Sequence, residues 1–183
     1  MNLLVFICAI IGGIATYLAT PWLIRYLTRI DLVVKDQNKR DKPLVPLSGG
    51  LAVFSGFFVG LMTFLFLRTF FDGGRVYLLI LDNDSLVLLF AGFISIFLVT
   101  LVGFLDDIII NRSKERSTGL RQWQKPLLTL TAAVPLMVTN AGTSSMSLPF
   151  FGEIKLGIIY PLILIPIGFV GAANMVNMFA GFN

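Results

Sequence analysis

The stretch that decides the fold is LVLLFAGFISIFLVTLVGFLDD, residues 86–107. Its apolar part, residues 86–105, has the length that a helix needs to cross a bilayer, about 20 residues. The run ends at two adjacent carboxylates, Asp106 and Asp107, which open a charged stretch. Ionised groups lose hydration at a membrane unless a cation or a charged ligand compensates them. The pair therefore predicts metal-assisted chemistry at a membrane surface.

Composition extends this prediction to the whole chain. Hydrophobic residues make up 56% of the 183 positions, charged residues make up 13%, and the mean hydropathy is +0.88. These values exclude an ordinary soluble domain. We predict an all-α, polytopic transmembrane helical bundle forming a single transmembrane domain over residues 1–183. About five spanning helices are expected, at residues 3–27, 47–71, 86–105, 123–139 and 156–179; Pro135 weakens the fourth.

Basic residues orient the predicted helices, because those close to helix ends stay on the cytoplasmic side. The basic residues of one predicted face are Arg25, Arg29, Lys35, Lys39, Arg40, Lys42, Arg112, Lys114, Arg116, Arg121 and Lys125, whereas Arg68, Arg75 and Lys155 fall on the other. The N-terminus is therefore expected outside and the basic face in the cytoplasm. Topology and attraction to anionic membrane lipid are the simplest roles of this charge. No nucleic-acid partner is expected.

Residue types also limit the metal chemistry. The chain contains no histidine, and its single cysteine, Cys8, lies inside the first apolar stretch. Thiolate or imidazole ligation and an intrachain disulfide are thereby excluded for this chain. Any metal bound by it must be a hard cation held by oxygen.

Polar residues form three clusters on the predicted cytoplasmic face. The first, DQNKRDKPLVPLSGG at residues 36–50, leads into the second helix. Its amides, with Lys39 or Lys42, suit a phosphorylated ligand, since helix N-termini and glycine-rich turns favour anions. The alternative is a loop followed by an ordinary helix start.

The second cluster combines Asp106 and Asp107 with Lys125, beyond the next loop. Carboxylates for a cation and an ammonium group for a phosphate suit phosphoryl transfer. The alternative is an acidic pair neutralised by neighbouring arginines. The third cluster, ANMVNMFAGFN at residues 173–183, places Asn174 and Asn177 one turn apart on one helix face. Asparagines in apolar helices also hydrogen-bond neighbouring helices, which is the alternative here.

Three motifs in this order resemble a known family. GFLDD at 103–107, LRQWQK at 120–125 and NMVNMFAGFN at 174–183 look like those of the polyprenyl-phosphate N-acetylhexosamine-1-phosphate transferases. The likeness is closest to the archaeal and eukaryotic branch, the dolichyl-phosphate GlcNAc-1-phosphotransferases. It extends there to DQNK at 36–39, AAVPL at 132–136 and the AGFN ending.

The resemblance implies an activity: the lipid phosphate attacks the β-phosphorus of UDP-GlcNAc, gives lipid-diphosphate-GlcNAc and releases UMP, with Mg²⁺ required and Mn²⁺ as an alternative. It implies catalytic roles for Asp106, Asp107 and Lys125, and a metal site of Asn177 with the two aspartates. It further implies substrate contacts by Gln37, Asn38, Lys39, Lys125, Asn174 and Asn183. Which aspartate acts as a base stays open, because metal bridging and proton removal both require an ionised carboxylate.

The likeness has departures. Leu47 stands where the eukaryotic enzyme carries an acidic residue, and the loop between Asp107 and Lys125 is longer. The family also continues beyond the position of Asn183, so we expect the chain to be the N-terminal part of a larger transferase domain. The resemblance further suggests a homodimer, and an archaeal cell membrane rather than the endoplasmic reticulum membrane of a eukaryote.

Two other classes of function remain. A small transporter or channel-like protein would use Asp106 and Asp107 in an ion path. Such a protein is expected to place polar residues at the bilayer midplane, whereas the sharpest cluster here lies at a predicted helix mouth. A structural assembly subunit would need none of the three clusters. Outside the clusters, the turn-rich stretch at residues 140–157 is expected to close as a short hairpin before the fifth helix.

Overall fold

The computed structural model of the protein describes residues 3–36, 39–71, 82–112, 120–148 and 152–179. The helices are α1 (Leu3–Arg29), α2 (Gly50–Phe71), α3 (Asn83–Arg112), α4 (Gln124–Val138) and α5 (Ile165–Phe179), the last preceded by a π-helical turn at Tyr160–Leu164. Two short antiparallel hairpins join them, β1 (Val33–Lys35) with β2 (Leu44–Pro46) and β3 (Ser145–Leu148) with β4 (Gly152–Lys155). The predicted helical membrane bundle is confirmed, and so is the hairpin before the fifth helix.

The described residues belong to two compact units. The first contains α1, β1, β2, α2 and the end of α3 from Gly103 onward. The second contains the beginning of α3 together with α4, β3, β4 and α5. The helix α3 therefore contributes residues to both units.

Among the described residues, three helices are long and apolar enough to cross a membrane: Leu3–Arg29, Gly50–Phe71 and Asn83–Ile110. In each, only 11% of the most apolar window is buried inside the protein. Apolar side chains that the protein itself does not cover suit contact with lipid. In length and composition these helices agree with the first three predicted spans.

The fourth and fifth predicted spans are shorter in the structure. The helix α4 has 15 residues, which at 1.5 Å per residue reach about 22 Å, less than the hydrocarbon thickness of about 30 Å. It continues through Pro135, and the hydroxyl of Thr139 donates to the Pro135 carbonyl at 3.0 Å. The apolar helical segment Tyr160–Val176 is also shorter than the three long helices. Spanning by these two segments stays a prediction.

The helix α3 extends beyond the apolar run that the sequence predicts as the third span. The sequence placed the end of the third span at residue 105, but α3 continues to Arg112. Asp106 and Asp107 therefore lie inside the helix rather than beyond its end. The reason is that three isoleucines follow the pair, with no glycine or proline to stop the helix.

Threonine side chains in the apolar helices bond within their own helix. The hydroxyls of Thr16, Thr20, Thr63 and Thr100 each donate to the carbonyl four residues earlier, at 2.7 to 3.1 Å. A hydroxyl without a partner is costly in an apolar medium. The internal bonds let these helices carry polar residues at low cost.

The helices α1 and α2 pack through small residues. Gly12 of α1 meets Gly56 of α2, where a Cβ built on Gly12 would lie 2.8 Å from the Gly56 carbonyl oxygen. A Cβ built on Gly56 would clash with the Thr16 side chain and lie 2.5 Å from the Gly12 carbonyl oxygen. A Cβ on Gly60 would lie 3.0 Å from the Cys8 carbonyl oxygen. Small residues four apart let helix backbones approach closely, which is how apolar helices associate in lipid.

Replacing Gly56 by alanine should separate these helices and destabilise the protein by about 1–3 kcal/mol, as overpacking of a tight contact does. The measurement is thermal unfolding in detergent. Gly13→Ala is the matched control, because, apart from its chain neighbours and the adjacent backbone of its own helix, no atom of the described residues lies within 4 Å of a Cβ built there. Equal unfolding temperatures for the two variants would contradict the close packing.

The carboxylate of Asp82 caps α3. It accepts a hydrogen bond from the Ser85 backbone N–H at 3.1 Å. Hydrogen bonds from the Ser85 side chain and backbone lower the pKa of Asp82. A carboxyl with a lowered folded pKa stabilises the fold above its unfolded pKa of about 3.9, and this contribution is lost as pH falls through the folded pKa.

We expect the stability advantage of the wild-type protein over Asp82→Asn to shrink on acidification below about pH 4, since asparagine caps comparably but does not titrate. The measurement is the difference in unfolding temperature between the two proteins across the acid range. A difference that widens as pH falls would contradict the capping role of the ionised carboxylate.

Candidate functional site

In the first unit, α1 ends in a defined C-terminal cap. Asp31 has a left-handed backbone, with φ of 59°. Its N–H donates to the Thr28 carbonyl at 3.2 Å, and the Leu32 N–H donates to the Leu27 carbonyl at 2.9 Å. This is the Schellman pattern, in which a buried apolar contact accompanies the two bonds. Leu27 and Leu32 are both buried, so the end of α1 is fixed by packing.

The hairpin of β1 and β2 then returns the chain to the start of α2. Val34 pairs with Val45 across the hairpin, and the Leu47 N–H donates to the Leu32 carbonyl at 3.1 Å. The next residue, Ser48, has a left-handed backbone with φ of 61°. Its carbonyl accepts the Leu51 N–H at 3.0 Å, at the first turn of α2.

A hydrogen bond joins this turn to α3. The Ser48 hydroxyl donates to the Asp107 Oδ2 at 2.8 Å, across 59 positions of sequence. Ser48 and Asp106 are each only 9% exposed, and Asp107 is half-buried. Asp107 is thus bonded to the turn that begins α2, and one of its oxygens has a fixed donor.

The charge of Asp107 suits this location. Ser48 lies two positions before Gly50, where α2 begins, and the first N–H groups of a helix carry partial positive charge. The hydroxyl bond adds a donor to the carboxylate. The Asp107 carboxylate is therefore held in a set orientation.

The predicted anion-binding loop is described only in part. Lys39 forms an ion pair with Asp36 at 3.6 Å, and its side chain is 68% exposed. The Lys42 N–H donates to the Lys39 carbonyl at 3.1 Å, which makes a turn. An exposed pair of this kind contributes little to stability. Gln37 and Asn38 lie outside the described residues, so their predicted substrate contacts stay predictions.

Lys125 belongs to the second unit, as the second residue of α4. Its side chain is half-buried, and its carbonyl accepts the Thr129 hydroxyl at 2.6 Å. The Gln124 side chain accepts the Arg121 backbone N–H at 2.9 Å, which fixes the approach to the helix. Lys125 therefore projects from the first turn of an ordered helix.

The predicted asparagine cluster lies on α5, also in the second unit. The Asn174 amide donates to the Val170 carbonyl at 2.8 Å, within its own helix. This bond was not among the expected ones, which were to a ligand or to a neighbouring helix. Asn177 follows three positions later on the same helix, as predicted, and Asn183 lies outside the described residues.

The structure thus brings Asp107 together with Ser48, a residue that the sequence reasoning missed. The signal was a serine just before two glycines and a helix start, in residues that we interpreted as a phosphate cradle. Among the described residues, no three acidic, cysteine or histidine side chains form a metal cluster. The predicted metal set includes an asparagine, so that finding does not test it.

The fold and site define a polytopic helical membrane protein with an acidic pair in one membrane helix. Residues 89–183 match the family described as Glycosyl transferase family 4. The chain belongs to this family.

Curated relatives share most of the chain. A protein of Saccharolobus solfataricus, named putative UDP-N-acetylglucosamine–dolichyl-phosphate N-acetylglucosaminephosphotransferase, is 34% identical over 174 residues, which are 95% of this chain and 47% of the relative. Its namesake in Sulfolobus acidocaldarius is 29% identical over 98% of this chain and 49% of its own length. A phospho-N-acetylmuramoyl-pentapeptide-transferase of Thermotoga neapolitana is 37% identical over 86 residues, 46% of this chain and 27% of its own. The chain spans about half the length of the first two relatives.

Proposed function

We propose that the protein transfers GlcNAc-1-phosphate from UDP-GlcNAc to a dolichyl-type polyprenyl phosphate and releases UMP. The observation that carries the proposal is the acidic pair in α3, with Asp106 buried and Asp107 bound to Ser48 at 2.8 Å. Membership of the family and the names of the two archaeal relatives support the choice of substrates. An oxygen of the lipid phosphate attacks the β-phosphorus, the bond from that phosphorus to the bridging oxygen breaks, and UMP leaves with that oxygen.

The roles of the aspartates follow from their surroundings. A carboxylate that accepts a hydrogen bond from a fixed hydroxyl near a helix N-terminus is an oriented oxygen donor. In this role Asp107 and Asp106 orient the lipid phosphate, and one of them accepts its proton where the phosphate arrives protonated. Phosphoryl transfer depends largely on positioning and charge neutralisation, which such a pair can supply.

Two carboxylates also fit Mg²⁺, which takes oxygen ligands and is usually held in proteins by one or two carboxylates together with substrate phosphates. Asp106, Asp107 and Asn177 would hold the ion in our proposal, with Mn²⁺ as a substitute. Bound there, the cation would neutralise charge on the diphosphate. These protein groups supply hard oxygen donors only, in keeping with the absence of histidine from the sequence.

The remaining roles are assigned to the nucleotide and the membrane. Lys125 would contact the diphosphate, and Gln37, Asn38, Lys39, Asn174 and Asn183 the rest of the substrates. We place this face in the cytoplasm, because most basic residues lie on it by sequence. The archaeal relatives favour a cell membrane, and a homodimer is the assembly that we propose.

Removing either charge of the pair should lower activity at least about 100-fold, as loss of a group that stabilises transition-state charge does. We expect this for Asp106→Asn and Asp107→Asn in the full-length protein that the gene encodes. The measurement is UMP release from UDP-GlcNAc with dolichyl phosphate and Mg²⁺ in detergent, with chelator added to test the metal.

Asp84→Asn is the matched control, because Asp84 is an exposed carboxylate in the first turn of the same helix. It should retain wild-type turnover. A folded full-length protein that releases no UMP from any UDP-sugar, yet conducts ions in proteoliposomes, would replace the proposed function with the transporter alternative.

Lys125→Gln should weaken UDP-GlcNAc binding, because a hydrogen bond to a charged group contributes about 1.5–3 kcal/mol, or about 10- to 150-fold in affinity. We expect the KM for UDP-GlcNAc to rise, and the KM for dolichyl phosphate to rise less. Lys155→Gln, an exposed lysine of β4, is the control for loss of one positive charge. A matching rise in both KM values would argue against a diphosphate contact.

A further inference from the structure

We infer that Ser48 is a positioning residue for the reaction and acts through Asp107. The inference rests on the proposed function and adds to it a side chain outside the acidic pair. Ser48 is separated from Asp107 by 59 positions in sequence. It reaches the carboxylate because the β1–β2 hairpin and the close packing of α1 on α2 bring the start of α2 to this place.

The backbone of Ser48 is set by its neighbours. A left-handed φ, here 61°, is uncommon for a residue other than glycine and persists where the surroundings impose it. The Leu47 N–H bond to Leu32 fixes the residue before it, and the Leu51 N–H bond to Ser48 fixes the turn after it. Glycine would adopt this φ more easily, and two glycines follow directly. The serine at this position therefore adds a hydroxyl at a conformational cost.

The hydroxyl is placed where it can act on one carboxylate. Ser48 is 9% exposed, and its Oγ lies 2.8 Å from the Asp107 Oδ2. A donor fixed to one oxygen restricts rotation of the carboxylate about its χ2 angle and so orients the second oxygen as well. Misplacing a reacting group by about 1 Å can cost about 100-fold in rate. Loss of the hydroxyl should therefore lower turnover without removing any substrate contact.

Two variants separate the hydroxyl from the backbone. Ser48→Ala removes the hydroxyl and keeps a residue that disfavours the left-handed φ. Ser48→Gly removes the hydroxyl and relieves that conformational cost, so it should fold at least as well as Ser48→Ala. The matched control is Ser55→Ala, because the Ser55 hydroxyl bonds only the Ala52 carbonyl among the contacts described, within α2.

The experiment measures kcat, both KM values and the unfolding temperature of the full-length protein with UDP-GlcNAc, dolichyl phosphate and Mg²⁺. We expect both Ser48 variants to lose about 10- to 100-fold in kcat. This is the usual effect of removing a hydrogen bond that orients a side chain of the site. Their KM values should stay near those of the wild-type protein. Ser48→Gly should unfold at a temperature no lower than that of Ser48→Ala and still lose as much kcat, a combination that a merely structural serine would not give.

A second measurement tests the contact without turnover. Ser48→Ala should change the unfolding temperature by different amounts in the wild-type and Asp107→Ala backgrounds, because directly bonded residues are coupled. Equal changes in the two backgrounds would overturn the contact.

The outcomes distinguish the inference from the proposed function. A folded Ser48 variant with wild-type kcat, or one with a raised KM and unchanged kcat, overturns the positioning role while the transferase activity stands. A full-length wild-type protein that turns over no UDP-sugar overturns the proposed function, and the positioning role with it. Loss of kcat in both Ser48 variants, with normal Ser55→Ala, supports both.

Discussion

The structure depends on one constraint: a polar group in an apolar helix is costly without a partner within the protein, because lipid offers none. Among the described residues, the buried Ser95 hydroxyl of α3 is an exception to it. The threonines of the long helices meet it by bonding carbonyls four residues earlier. The end of α1 meets it with the Schellman bonds over buried Leu27 and Leu32. Asp107 meets it through Ser48. The same constraint that shapes the fold therefore also orders the acidic pair.

Small residues make that order possible. Gly12 and Gly56 let α1 and α2 approach until a Cβ on Gly12 would lie 2.8 Å from the opposing carbonyl oxygen. The hairpin between these helices has only three residues in each strand, so the direction in which the chain enters α2 depends on how closely α1 and α2 pack. A substitution at Gly12 or Gly56 would thus change the position of Ser48, although Ser48 does not take part in this helix contact.

The long helices could be predicted from the sequence, because an apolar run of about 20 residues is typical of a membrane-spanning helix. The β3–β4 hairpin was also predictable from its turn-forming residues. The end of α3 was not, since Asp106 and Asp107 resemble a helix boundary until the isoleucines after them are weighed. Ser48 was missed because glycine is the residue expected at a left-handed turn, and a hydrogen bond across 59 positions leaves no local signal. The Asn174 amide donates to a carbonyl of its own helix. The spacing of Asn174 and Asn177 in the sequence does not predict this bond.

The continuation of α3 beyond the apolar run bears on the chemistry. Had the pair followed the helix, its backbone would lie in a loop, and the carboxylates would be positioned only by their ligands. Inside α3, the backbone of Asp107 is fixed by helical hydrogen bonds and its side chain by Ser48. Sites on helices hold their geometry more tightly than sites on loops. Phosphoryl transfer, the reaction that we propose, obtains most of its acceleration from positioning, and the continuation of α3 past the acidic pair gives the Asp107 carboxylate a fixed backbone and a set orientation.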